Sequence, residues 1–192
     1  MKIAILGGSF NPITVSHMQI ASETLKCGDF DVVQVSPCYS NPLKSNLVSE
    51  RHRLKMCNLA IKDLETKRIV VSDFEISNQI TDGTYSYLRK LYEKYKDNEY
   101  HYIVGGDQVN DIVKWKNYEK LIEEFGFVIF NRQGIDIQRI VFSKYTIIRS
   151  KIDPFSSTEF REQFALGNIN YCKKIVSKKV LKYIVENQLY LP

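Results

Sequence analysis

Two segments of this 192-residue chain hold residue types that can handle phosphate, and they lie near its opposite ends. The first is Gly7-Gly8-Ser9-Phe10-Asn11-Pro12-Ile13-Thr14-Val15-Ser16-His17. Paired glycines let a backbone approach a polyphosphate closely and turn its amides toward it. Thr14 and Ser16 can cap a following helix, with His17 in its first turn, and a helix N-terminus with a donor side chain is a natural anion site. The second is Phe155-Ser156-Ser157-Thr158-Glu159-Phe160-Arg161. There the hydroxyls of Ser156, Ser157 and Thr158 and free amides would point outward from a helix start. Arg161, one turn on, can grip the same oxygens with a planar fork. Each segment alone also fits an ordinary strand-to-helix turn or a capped helix start. Neither GxxxxGK[ST] nor GxGxxG is present, so the usual kinase and dehydrogenase readings lack their motif.

Positioning these segments requires strands that end at them. Residues 2–6 are almost all apolar, as in a strand buried on both faces. A helix follows with Met18, Ala21 and Leu25 on one face. Further strands are expected at Val32–Val35, Ile69–Val71, Tyr102–Val104, Phe127–Phe130 and near 145–149. Between them run a helix capped by Ser49 with a Leu54, Cys57, Ile61, Leu64 stripe, one after Thr84, and one with Tyr118, Leu121 and Phe125. A helix starting at Ser156 or Ser157 and a last one over about 177–187 close the chain. Alternating strands and helices predict an α/β fold: a single Rossmann-like domain over 1–192 with a doubly wound parallel sheet. Ligands of such sheets bind beyond the carboxyl ends of the strands, where Gly7-Gly8-Ser9, Pro37 and Gly105-Gly106-Asp107 fall.

The formal net charge of +5 raises the question of an anionic partner: nucleic acid, membrane or a phosphorylated small molecule. No apolar run nears the roughly 20 residues that span a bilayer, and the N-terminal apolar stretch is too short for a signal-peptide core. The basic residues are scattered. Lys62, Lys67 and Arg68 form a loose group, as do Lys173, Lys174, Lys178 and Lys179, without interleaved aromatics, so neither nucleic acid nor membrane is expected. Cys27, Cys38, Cys57 and Cys172 make no CxxC pair, and with His17, His52 and His101 they give a zinc site poor support. Free buried thiols and a cytoplasmic location (nuclear, if the source is eukaryotic) are expected. His101 reads as structural and His52 as exposed.

Together, a TxxH helix start after a glycine loop and a late SSTxxR helix start resemble the paired motifs of the nucleotidyltransferase α/β-phosphodiesterase superfamily. Within it the chain is similar, almost end to end, to the bacterial-type nicotinate-nucleotide adenylyltransferases. The likeness extends to Pro42-Leu43-Lys44 with Arg53, Asp82-Gly83-Thr84-Tyr85-Ser86, Ile103-Val104-Gly105-Gly106-Asp107 and Trp115. It includes Phe130-Asn131-Arg132-Gln133-Gly134, Val180–Ile184 and Asn187-Gln188-Leu189-Tyr190.

The resemblance implies transfer of AMP from ATP to nicotinate mononucleotide, giving deamido-NAD. Gly7, Gly8, Ser9, Phe10, Gly105 and Asp107 would line the ATP site. His17, assisted by Thr14, would donate to the α-phosphate. Ser156, Ser157, Thr158 and Arg161 would hold the outer phosphates. Lys44, Arg53, Thr84, Tyr85, Trp115 and Arg132 would meet the acceptor, although Lys44 and Arg53 also suit plain surface cations and Trp115 also suits core packing. Asp107 suits a ribose contact or a helix cap. Mg²⁺ is expected through substrate phosphates, with no protein metal site. Departures from the family are Thr14 and Ser16 for His and Gly of HxGH, Asn11 for Asp, Phe155 for Ile, and a PPHK-like loop without its His. Nicotinamide mononucleotide is the nearest alternative acceptor, phosphopantetheine a remoter one, and a non-catalytic nucleotide- or RNA-binding module a third reading. Oligomeric state, a homodimer included, stays open.

Overall fold

The computed structural model describes residues 1–41, 44, 46–131 and 142–191. Its strands are β1 (Lys2–Gly8), β2 (Val32–Pro37), β3 (Ile69–Val71), β4 (Glu99–Gly105), β5 (Gly126–Asn131) and β6 (Tyr145–Arg149). They form one six-stranded sheet in the order β3-β2-β1-β4-β5-β6, and every pairing is parallel. That order reverses between β1 and β4, which makes their carboxyl ends the switch point.

Period-two alternation divides each central strand between two cores. Ala4 and Leu6 of β1 and Val128 and Phe130 of β5 enter one core, whereas Ile3, Ile5, Phe127 and Ile129 enter the other. The first core is covered by α1 (Val15–Cys27), α2 (Glu50–Ile61), α6 (Ser157–Ala165), α7 (Ile169–Ile175) and α8 (Lys178–Glu186). The second is covered by α3 (Phe74–Ser77), α4 (Thr84–Lys94), α5 (Tyr118–Glu124) and a 3-10 helix over Gly106–Lys114. The expected doubly wound α/β sheet is thus present. None of these helices is long and apolar enough to cross a membrane.

Several expectations change in detail. β1 runs on through Gly7 and Gly8 instead of stopping at residue 6. A Cβ on Gly7 would stand 2.1 Å from the Tyr102 hydroxyl, so the strand closes on β4 only with glycine there. Leu64 lies past the end of α2, and Ser49 occupies the cap position without a side-chain cap bond. The short helices α3 and α7 and the 3-10 helix fall below the length at which apolar periodicity is readable. His101 is structural: its Nε2 lies 2.8 Å from Glu99 and its ring packs edge-on to Phe30. His52 is only partly exposed, because Nδ1 pairs with the Tyr183 hydroxyl at 2.8 Å and ties α2 to α8. Cys57 and Cys172 are buried, while Cys27 is exposed and Cys38 partly so.

Arg53 is the main correction. Its resemblance-based place is at the acceptor phosphate, yet it is 1% exposed. Its guanidinium donates to the carbonyls of Ser9 (2.9 Å), Tyr39 (2.9 Å) and Val48 (3.1 Å). It therefore joins the loops after β1 and β2 to the start of α2. Nearby, Glu75 accepts from the Tyr39 amide at 3.2 Å. Burial pushes its carboxyl up to about 7, overcoming the opposing pull of the Tyr39 amide and the Arg53 charge.

Two outcomes follow from this joint. Arg53→Met strands one buried and two part-buried carbonyls and should cost on the order of 3 kcal/mol in urea unfolding. Glu75 binds its proton more tightly folded than unfolded, so it makes stability fall as pH rises from about 4.5 to about 7. Glu75→Gln should match the wild type below that window. Above it, the variant should be more stable by up to roughly 3 kcal/mol, read from urea midpoints across pH.

Candidate active site

A cavity of about 660 Å³ opens at the carboxyl ends of β1 and β4. The strand ends bring Gly7, Gly8, Ser9, Gly105 and Asp107 to its floor, α1 brings His17, and the start of α6 brings Ser156, Ser157, Thr158 and Arg161. Phe10 and the exposed Lys44 complete the expected set that lines it. Among the described lining residues Asp107 is the sole carboxylate, against His17, Lys44 and Arg161. Such a lining accepts anions and opposes their repulsion. Asp107 leans against Gly105, where a Cβ would stand 2.3 Å from its Oδ1, and the 3-10 helix that follows has no side-chain cap. Asp107 therefore stands in the first turn of the 3-10 helix rather than at its cap position, with its carboxylate on the cavity lining.

The first turn of α1 sets the state of His17. The Thr14 amide donates to His17 Nδ1 at 3.0 Å, and the Thr14 hydroxyl lies 2.7 Å from the same nitrogen. A backbone N–H can only donate, so Nδ1 is an acceptor and the ring proton of the neutral imidazole sits on Nε2. Phe10 packs edge-on to the ring at 5.1 Å between centroids. Thr14 itself is 2% exposed and is absent from the cavity lining. Its expected direct assistance at phosphate is corrected to orienting His17, because its hydroxyl is turned to the ring.

The start of α6 is equally organised. Ser156 closes a capping box with Glu159, accepting the Glu159 amide at 3.0 Å. The Ser157 hydroxyl donates to the Pro12 carbonyl at 2.7 Å. Arg161 donates to the Asn11 carbonyl at 2.8 Å, to the Ser157 carbonyl at 3.1 Å and to the Thr158 hydroxyl at 3.2 Å. These bonds hold the guanidinium beside the cavity. Asn11 is a hub that residue types alone did not announce. Its Oδ1 accepts from the Val48 amide (3.2 Å) and the Tyr190 hydroxyl (2.9 Å), and its Nδ2 donates to the Asn46 carbonyl (3.3 Å). An aspartate here would face that carbonyl with an oxygen, which accounts for asparagine.

Not every expected residue converges. Thr84, Tyr85 and Trp115 do not line the cavity. Thr84 and Trp115 gather around Tyr102, Trp115 edge-on at 6.0 Å, on the far side of the Gly7–Tyr102 contact. Tyr85 turns outward and donates to Glu124 at 2.9 Å. Arg53 is buried in the joint described above, and Arg132 lies outside the described residues. Gln108 lines the cavity, and Tyr102 packs against both Gly7 and Trp115, yet neither belongs to a recognisable motif. No group of three or more His, Cys, Asp or Glu could hold a metal among the described residues. A second hollow, about 380 Å³, lies across α1 over Met18, Ala60, Leu64 and Ile152.

Residues 5–163 match the family model described as cytidylyltransferase-like. A Fusobacterium nucleatum protein named probable nicotinate-nucleotide adenylyltransferase is 35% identical over 96% of this chain and 97% of its own length. A namesake from Flavobacterium psychrophilum is 33% identical over 99% of both. The solved Plasmodium falciparum nicotinic acid mononucleotide adenylyltransferase, complexed with NaAD, superposes with a TM-score of 0.88 at 30% identity. It covers 98% of this chain and 97% of that one. With a cavity lined by cations and hydroxyls at the switch point and relatives alike over the full length, the chain belongs to the cytidylyltransferase-like family, among the nicotinate-nucleotide adenylyltransferases.

Proposed function

We propose that this chain joins ATP and nicotinate mononucleotide to give deamido-NAD and pyrophosphate. The observation that carries the reading is the convergence of His17, Arg161 and two helix starts on one cavity with a single carboxylate among its described lining residues. A phosphate oxygen of the mononucleotide attacks the α-phosphorus in line. The bond to the bridging oxygen breaks, and pyrophosphate departs with the electron pair. The nucleophile is already an anion, so the site needs no general base; it must align two polyanions and neutralise the charge that develops.

His17 donates its Nε2 proton as a hydrogen bond to the α-phosphate, oriented by Thr14. Ser157, Thr158 and Arg161 hold the β- and γ-phosphates at the positive end of the α6 dipole. Mg²⁺ would neutralise the outer phosphates and enter with ATP. Asp107, alone among carboxylates in the described lining, fits an ion held through phosphate oxygens and water rather than by a protein cage. Lys44 serves the acceptor phosphate at the cavity rim, and Thr84 with Trp115, beside Tyr102, receives the pyridine ring and its substituent.

His17→Ala should fold normally and lower turnover by about 100-fold, as loss of one transition-state donor does. Circular dichroism together with pyrophosphate release would check both halves. The substrate assignment is tested by offering ATP with nicotinate or nicotinamide mononucleotide side by side. Faster pyrophosphate release with nicotinate mononucleotide is expected, whereas a preference for the amide would transfer the activity to the alternative acceptor.

A further inference from the structure

The family's HxGH motif has glycine where this chain has Ser16, so the added hydroxyl could be expected to crowd the nucleotide. Its direction says otherwise. Ser16 is 2% exposed, and its Oγ donates to the carbonyl of Asp153 at 2.6 Å. One turn along the same face of α1, Gln19 makes a two-way fork with that residue. Its Nε2 donates to Asp153 Oδ2 at 2.8 Å, and its Oε1 accepts the Asp153 amide at 2.9 Å. Three hydrogen bonds therefore fasten the first turns of α1 to a residue that lies 137 positions from Ser16. Asp153 sits in the segment that leads from β6 into the start of α6.

We propose that Ser16 and Gln19 are positioning residues that set the spacing between the two phosphate-binding helix starts. This rests on the reading of the cavity as an ATP site. Ser16 lines the cavity, yet its hydroxyl is turned to Asp153, so neither side chain needs to bond substrate. The strap acts through the 153–156 segment, fixing where Ser157, Thr158 and Arg161 stand relative to His17. Among the described residues, the Ser157–Pro12 and Arg161–Asn11 bonds join this strap in tying the α6 start to the N-terminal loop and helix. The Ser16 bond is part-buried and keeps more of its strength, whereas the two Gln19 bonds lie at the surface, where water competes with them.

The test is ATP affinity, by calorimetry on the whole chain, for Ser16→Ala, Ser16→Gly and Gln19→Leu, alongside Michaelis constants for the mononucleotide. Each variant should bind ATP about fivefold to tenfold more weakly, the share of one or two hydrogen bonds, with the mononucleotide constant unchanged. The Ser16→Ala/Gln19→Leu double variant should lose less than the product of the two, since both act through Asp153. Tighter ATP binding in Ser16→Gly would mean that Ser16 crowds the nucleotide and would overturn the proposal. Unchanged ATP affinity, or equal weakening of both substrates, would overturn it too. If Ser16→Ala failed to fold, Gln19→Leu at its partly exposed position decides alone. Should the wild type bind ATP but adenylate neither mononucleotide, the proposed function would fall while the affinity comparison still stands.

Discussion

A buried cation with no carboxylate in ion-pair contact among the described residues organises the site's foundations. Arg53 spends its fork on three carbonyls that belong to three separate chain segments, so the loops after β1 and β2 and the entry to α2 cannot move independently. Lysine could not take this place, because a point charge on a flexible stem lacks the planar geometry that reaches three acceptors at once. The arrangement also leaves a permanent positive charge directly beneath Ser9. Placed in the protein and away from salt, it is screened far less than a surface lysine and contributes to the attraction of anions above it.

The sheet distributes the remaining work. A strand order that reverses between β1 and β4 opens a crevice where adjacent crossovers leave to opposite faces. Into it point the N-terminal ends of α1 and α6, each closed by a capping box, so their first-turn geometry is rigid before any ligand arrives. On the other face of the Gly7–Tyr102 contact stands Trp115. Glycine at position 7 thus serves packing between strands as well as the floor of the cavity.

Much of this was legible in residue order, for reasons that differ from place to place. The phosphate segments announced themselves because caps, glycines and donors are local signals, and the alternating apolar runs exposed the parallel sheet. Arg53 was given to the acceptor by resemblance, with a surface cation as the alternative; in the charged stretch Glu50-Arg51-His52-Arg53 only the fold shows that this one side chain faces inward. Ser16 could be seen as a departure, but the direction of its hydroxyl depends on a loop far along the chain. Tyr102 escaped notice since a tyrosine in a buried strand is ordinary, and its role appears only where the strand lies against Gly7. Thr14 was assigned beside His17 at the phosphate, whereas its hydroxyl and amide both meet the His17 ring, because spacing cannot say which of two neighbours stands in front.

The phosphate loop owes its shape to residues made much later. Asn11 and Pro12 are held by Ser157, Arg161 and Tyr190, contacts that span between 145 and 179 positions. On a ribosome, β1 and its loop emerge well before these partners do. Closing such distant contacts is entropically slow. All six strands lie before residue 150, so the sheet can form from residues that do not yet include the three side chains that brace Asn11 and Pro12.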